Sequence, residues 1–244
     1  MLPRFFVDLP FSPGDELNLP AAAARHVQVL RLQPGSPITL FNGSGHDWQA
    51  EVLSMGRSEV RVHLQSAQAV QRELQVRVTL ALAMPANDRM DGVVEKATEL
   101  GAAALQPLMS ERSVLRLSGE RAEKKVAHWQ GVAVAACEQS GRSCVPQLAQ
   151  VMSLPSWLQS LGDKPATQQR WLLSPTAARP LRELMPSDLA AEILVLSGPE
   201  GGLSAAEEAL ARAQGFEAVQ LGPRILRADT APLAVLAWLA LNQV

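Results

Sequence analysis

The segment of this chain best equipped to hold a ligand is Ser197-Gly-Pro-Glu-Gly-Gly-Leu-Ser204. Glycines let main-chain N–H and C=O groups approach a bound molecule with no Cβ in the way. Ser204 can cap a following helix so that its positive end faces the same place. Two comparable segments lie to either side in sequence, Leu172-Leu-Ser-Pro175 and Leu221-Gly-Pro-Arg-Ile-Leu-Arg-Ala-Asp-Thr230. Each of the three follows a predicted strand, where open α/β sheets bind ligands. They suit a polar or anionic ligand held largely by main chain, although Gly201-Gly202 taken alone also fits a plain strand-to-helix turn. A second constellation is Glu138 with Arg142, four residues apart around an expected helix break at Gly141. A carboxylate and a guanidinium can accept a proton and stabilise the charge left behind, or they can form an ordinary helix-surface pair.

The spacing excludes the better-known ligand loops. G-x-x-G-G is not the G-x-G-x-x-G dinucleotide fingerprint. No G-x-x-x-x-G-K-[ST] phosphate loop, G-x-S-x-G nucleophile elbow or H-E-x-x-H zinc helix occurs. The histidines at 26, 46, 63 and 128 include no pair at metal-ligand spacing, so no metal is expected. Cys137 and Cys144 are too few for a disulfide framework and are expected as reduced thiols, Cys137 packed in a helix.

These residues need a fold to present them, and the chain changes pattern once. Residues 4–8, 38–42, 48–55 and 59–65 alternate or run apolar between Pro13-Gly14, Pro34-Gly35 and Gly43-Ser-Gly45, which predicts a small β-barrel. Its one helix spans 21–32, where Ala23, Val27 and Leu30 share a face. Residues 66–73 are polar and read as a linker, giving domains 1–70 and 74–244. Beyond it strands 74–83, 103–107, 170–173, 192–196 and 217–221 alternate with helices 120–139, 205–214 and 230–243. Met90, Val93, Val94, Ala97 and Leu100 mark a further amphipathic helix stopped by Gly101. That alternation predicts an α/β domain with a mostly parallel sheet.

Composition sets the outer bounds. The chain has 244 residues, 47% of them hydrophobic and 19% charged, which describes a globular chain and excludes global disorder. A net charge of −2 argues against a generally cationic nucleic-acid binder, so any such contact must be local. Arginines outnumber lysines eighteen to four, and arginine is the side chain that forks onto phosphate. The absence of tyrosine argues against a broad aromatic platform for single-stranded RNA. The longest apolar stretch, residues 231–241, contains Pro232 and is too short to span a bilayer, and the N-terminus lacks a secretory pattern; a cytoplasmic location is expected.

Taken in order, Arg89-Met-Asp91, Glu95-Lys-Ala-Thr-Glu-Leu-Gly101, Ser110-Glu-Arg-Ser113, Ala136-Cys-Glu-Gln-Ser-Gly-Arg142, Gly198-Pro-Glu-Gly-Gly202 and Leu221-Gly-Pro-Arg-Ile-Leu-Arg227 resemble the RsmE family. Pro3-Arg-Phe5 and His26-Val-Gln-Val-Leu-Arg-Leu32 extend the resemblance over nearly the whole chain. The family comprises S-adenosylmethionine-dependent methyltransferases of the SPOUT superfamily that make N3-methyluridine in bacterial 16S ribosomal RNA. The resemblance implies a PUA-like barrel followed by an α/β domain whose chain closes a trefoil knot, with the methyl donor held by three loops. It departs from the family at Ala228-Asp229, where Thr-Glu is usual, and at Ser143-Cys144.

Carried over by position, the resemblance implies that Gly198, Pro199, Glu200, Gly201 and Gly202 bind the donor. Leu221, Gly222, Ile225, Leu226 and Arg227 join them from the third segment, with Leu173 and Ser174 from the first. Uracil N3 carries a proton and is a poor nucleophile at neutral pH, so a base or a charge-stabilising cation is required; Glu138, Arg142 and Arg227 are the candidates. Arg4, Arg25, Arg31 and Arg89 are candidate contacts to rRNA phosphates, or solvated surface charges. His26 either stacks on RNA or packs locally. Helix 230–243, apolar nearly all round, is either internal core or, as is common in this superfamily, the face of a homodimer. The alternatives to an enzyme acting on 16S rRNA or the small subunit are a non-catalytic RNA-binding ribosome-assembly factor and, disfavoured by the missing fingerprint, a nucleotide-dependent oxidoreductase.

Overall fold

The structure, a computed structural model, describes residues 2–86, 89–184 and 191–242. It forms two compact units, one of residues up to Glu73 together with Val134–Val145, the other of Leu74–Ala133 and the chain from Pro146 onward.

The first unit contains β1 (Arg4–Phe6), β2 (Glu16–Asn18), α1 (Ala21–Val29), β3 (Pro37–Phe41), β4 (His46–Met55) and β5 (Val60–Ala69). They form one sheet in the order β1-β3-β4-β5-β2, with β1 and β2 at its edges. Alternation along β3, β4 and β5 turns Ile38, Leu40, Val52, Val60 and Val62 inward, where they meet Phe5 and the Ala23, Ala24 and Val27 stripe of α1. Each fully buried large apolar side chain contributes about 1.5–3 kcal/mol, and this cluster holds the unit together. One expectation is corrected: part of the linker is strand. β5 continues to Ala69 because its last residues pair antiparallel with His46–Gln49, and they are exposed, so no apolar pattern betrays them.

Val134–Val145 joins this unit through hydrogen bonds to residues far off in sequence. The Phe6 N–H donates to Glu138 Oε1 at 3.0 Å, and Arg4 Nη2 donates to the Arg142 carbonyl and to Ser143 Oγ, each at 3.2 Å. The compact units therefore depart from a linear division at residue 74 in this segment alone.

The second unit comprises β6 (Arg77–Ala83), α2 (Arg89–Glu99), β7 (Ala104–Met109), most of α3 (Gly119–Ser140), β8 (Gln147–Leu148), β9 (Met152–Ser153), α4 (Leu154–Ser160), β10 (Gln168–Leu173), β11 (Arg179–Pro180), β12 (Glu192–Ser197), α5 (Ala205–Ala213), β13 (Glu217–Gln220) and α6 (Thr230–Asn242). The sheet runs β11-β13-β10-β12-β6-β7-β8, with β9 also on β7, and every described pairing is parallel. This is the α/β fold expected from the strand–helix alternation. Its central strands are apolar almost throughout, as strands buried on both faces must be: Leu80, Leu172 and Val195 are fully buried. α2 lays Met90, Val93, Val94 and Ala97 inward, and ends two residues before Gly101. The last residue of the predicted helix 230–243, Gln243, lies outside the described residues. Among the described residues no helix is long and apolar enough to cross a membrane.

Candidate functional site

The register of three neighbouring strands creates the site. β13, β10 and β12 lie side by side and parallel, with Leu173 level with both Ser197 and Val219. The segments that leave their C-terminal ends therefore open along one edge, although 21 residues separate the first from the second in sequence and 16 the second from the third. They enclose a cavity of about 510 Å³. Leu173 and Ser174 line it from the first segment; Gly198, Pro199, Glu200, Gly201 and Gly202 from the second; Leu221, Gly222, Ile225, Leu226 and Arg227 from the third. Every residue expected to grip the donor thus lies on this one cavity. Ser197, Leu203, Glu208 and Arg224 line it as well.

Local chemistry shapes the second segment. Ser204 caps α5: its Oγ accepts from the Glu207 N–H at 3.3 Å, while Glu207 Oε2 accepts from the Ser204 N–H at 2.9 Å. Glu207 Oε1 also takes the Glu111 N–H at 2.8 Å, which fixes the start of α5 against the chain after β7. A Cβ on Gly198 would stand 3.0 Å from the Leu203 nitrogen and 3.2 Å from the Gly202 carbonyl carbon, and Gly202 holds φ at +68°. The segment folds back on its own main chain so closely that a side chain at 198 would crowd it. Arg112, which also lines the cavity, braces the turn by donating to the Gly201 carbonyl at 2.9 Å. Ser110-Glu-Arg-Ser113 was noticed in the sequence, yet nothing local distinguishes Arg112 as a neighbour of residues some ninety positions away.

The charges around the cavity fall into two groups. Glu200 Oε1 accepts the Ala86 N–H at 3.0 Å, and Glu208 Oε1 lies 3.5 Å from Ser174 Oγ. Arg224 and Arg227 are exposed on the third segment, and among the described residues neither side chain has an ion-pair or hydrogen-bond partner.

The other expected site residues are not among those that line the cavity. Glu138 and Arg142 belong to the first unit. Burial pushes the Glu138 carboxyl up; hydrogen bonding from Phe6 and the nearby His26, whose Nδ1 is 3.2 Å from Glu138 Oε2, act in the opposite direction without reversing it. Arg142 is 3% exposed, and its Nε and Nη2 both reach the Glu73 carboxylate. The two are therefore not the helix-surface pair that i, i+4 spacing allows. His26 packs edge-on to Phe5, with ring centroids 5.1 Å apart. Arg4, expected as a phosphate contact, is 7% exposed and bound to Asp47. Burial raises the Asp47 carboxyl, but hydrogen bonds from Arg4 and Ser143 and the charges of Arg4 and Arg72 outweigh it and hold it below the usual range. Arg25 and Arg31 are exposed, and Arg89 stands between carboxylates of the second and third segments. Among the described residues no three His, Cys, Asp or Glu side chains gather as metal ligands.

Residues 72–240 match the RNA methyltransferase domain family and residues 19–65 the RNA methyltransferase PUA domain. A ribosomal RNA small subunit methyltransferase E from Synechocystis is 35% identical over 91% of this chain and 71% of its own length; one from Bacillus subtilis is 30% identical over 96% and 94%. The chain belongs to the ribosomal RNA small subunit methyltransferase E family. Solved structures agree over the whole length. The methyltransferase E of Neisseria gonorrhoeae bound to S-adenosyl methionine superposes with a TM-score of 0.89 at 35% identity, covering 98% of this chain and 96% of that one. A Legionella pneumophila methyltransferase in complex with bound SAM gives 0.90 at 32%, covering 98% and 97%. The PUA match lies within the first unit, and the methyltransferase match takes in most of the second together with Val134–Val145 of the first.

Proposed function

We propose that this chain uses S-adenosylmethionine to methylate N3 of one uridine in 16S ribosomal RNA. The observation that carries this is the cavity at the ends of β10, β12 and β13, lined by all three segments, in a member of the methyltransferase E family. Its volume falls within the roughly 300–1,000 Å³ of small-molecule sites. The donor set suits S-adenosylmethionine: close-packed main chain at Gly198–Gly202 for polar edges, apolar Leu173, Leu221 and Leu226 for a flat ring, and the carboxylates of Glu200 and Glu208 for a cationic centre. When bound, S-adenosylmethionine supplies an activated methyl group.

The residues of the chain position and stabilise. The glycine segment and the Leu221–Leu226 side fix the donor's orientation, which turns methyl transfer into a proximity problem. Arg227 lines the cavity with an unpartnered guanidinium among the described residues, and is suited to stabilise the negative charge that forms on the uracil ring as N3 gives up its proton. Glu138 and Arg142 act as positioning residues of the first unit, through Phe6, His26 and Glu73. Arg25 and Arg31, with Arg224, are the RNA-phosphate contacts in this proposal, since all three are exposed.

A homodimer belongs to the same proposal. α6 is apolar on every side; Val235, Leu236 and Leu239 are buried while Leu233, Ala234, Ala237 and Trp238 stay half-exposed and Leu241 is 81% exposed. A trefoil crossover is also part of it, supported by a strand order in which β10 lies between the later strands β12 and β13. A cytoplasmic location belongs to the same proposal, supported by ribosomal RNA as the proposed substrate.

N3-methylation blocks the Watson–Crick edge. Reverse transcription of 16S rRNA should therefore stop at one uridine in wild-type cells and read through in a strain lacking this gene. Unchanged stops in both strains would refute the proposal.

A further inference from the structure

Arg89, the first residue of α2, places Nη1 3.8 Å from Glu200 Oε1 and 3.9 Å from Asp229 Oδ2. Glu200 belongs to the second cavity segment, where the Ala86 N–H already anchors its Oε1 at 3.0 Å; Asp229 closes the third, just before α6. The cation is thus shared between two segments that otherwise belong to different parts of the sequence. Both separations exceed the distance of a hydrogen bond, so attraction is present without the directional bond that would lock it. All three side chains are 30–36% exposed, and solvent screens the attraction accordingly.

We propose that Arg89 is a positioning residue that ties the second and third segments together around the donor cavity, and that Asp229 leaves this tie open by about one methylene. A glutamate at 229 would extend the carboxylate by roughly 1.5 Å, a carbon–carbon bond length, enough to bring a separation of 3.9 Å within hydrogen-bond range. The other groups facing Asp229 do not account for the gap: the Thr230 hydroxyl donates to Oδ1 at 3.4 Å, and the Asp229 atom facing Arg89 is Oδ2. A guanidinium already shared by two carboxylates is also poorly placed to serve an RNA phosphate, the role its charge first indicated. The inference rests on the proposed binding of S-adenosylmethionine and goes beyond it by assigning the closure of that site to a residue outside the cavity lining.

The test is a double-mutant cycle on the full chain, read by calorimetric titration with S-adenosylmethionine and by amide hydrogen exchange of residues 221–230 without it. Arg89→Gln should weaken binding about two- to fivefold and speed exchange across the third segment. Asp229→Glu should tighten binding about twofold and slow exchange, but only while Arg89 is present. Any change in the helix-capping contribution of residue 229 is common to both backgrounds and cancels in the cycle. Equal effects of Asp229→Glu with and without Arg89 would overturn the tie. So would an Arg89→Gln variant with unchanged exchange and unchanged donor affinity but a raised KM for RNA, which would mark Arg89 as an RNA contact. No titration heat from the wild-type chain would instead refute donor binding, while the exchange data would still decide whether the tie exists.

Discussion

Arg4 and Asp47 show how far a single residue's role depends on partners the sequence does not reveal. Arg4 reads as a basic residue near the N-terminus and an RNA contact, but its partners are Asp47, Arg142 and Ser143. Replacing Asp47 with Asn leaves a buried guanidinium without its counter-charge, which should cost about 3 kcal/mol at neutral pH. The sign of the pH dependence follows from the depressed carboxyl. Asp47 binds its proton less readily in the folded chain than an ordinary aspartate, whose value is 3.8, so its contribution is complete above that pH and is lost as pH falls through the lower, folded value. Urea titrations at neutral pH and on the acid side of 3.8 should therefore show the gap between wild type and Asp47→Asn closing; a constant gap would show that the ion pair is not its origin. The three cavity segments, by contrast, were legible as turns after strands, while their individual residues came from the family resemblance. Glycine and proline announce a turn by their own backbone limits, with no distant partner needed, whereas Arg112 and Arg4 are defined only by contacts across the fold.

Elements were legible in proportion to their apolar pattern. The buried parallel strands β6, β7, β10, β12 and β13 announce themselves, and so does α2, because burial on one or both faces forces the sequence to be apolar there. β2, with Glu16 and Asn18 exposed on either side of Leu17, and the two-residue β8, β9 and β11 are too short to carry a period. α4 is barely two turns, although Ser153 caps it by accepting the Ser156 N–H, and its short apolar run Leu154, Trp157 and Leu158 matters only as part of the core with Phe216 and Leu172. In the proposed function, the turn between β12 and α5 is the element that bears most directly on donor binding. Gly198→Ala places a methyl 3.0 Å from the Leu203 nitrogen, tighter than ordinary packing, so the main chain there must give by a few tenths of an ångström. An overpacking cost of about 1–3 kcal/mol at that turn should weaken S-adenosylmethionine about tenfold or more, while the far-UV circular dichroism of the chain stays unchanged. Wild-type affinity in this variant would show that the close approach at 198 has no part in holding the donor.

At the scale of the whole molecule, the change of period near residue 74 falls where the second compact unit begins, but the return of Val134–Val145 to the first unit was not legible, since hydrogen bonds to Phe6, Asp47 and Glu73 leave no periodic trace. The role of α6 was open for the same kind of reason: a helix apolar all round says that it is covered, not by what. The structure narrows this, because the single chain buries Val235, Leu236 and Leu239 yet leaves Leu241 81% exposed and Trp238 half-exposed. A second copy of the chain covering that face is the proposed answer, and it separates cleanly from folding stability. Leu241 has little contact to lose within one chain, so Leu241→Asp should change the stability of the isolated subunit by no more than about 0.5 kcal/mol. In a dimer the same substitution buries an unpaired carboxylate in an apolar interface, which costs several kcal/mol and should convert the protein to a monomer by light scattering. The wild-type melting temperature should rise with protein concentration and that of the variant should not, because only linked association carries a mass-action term. A variant that remains dimeric at micromolar concentration would place the interface on some other face.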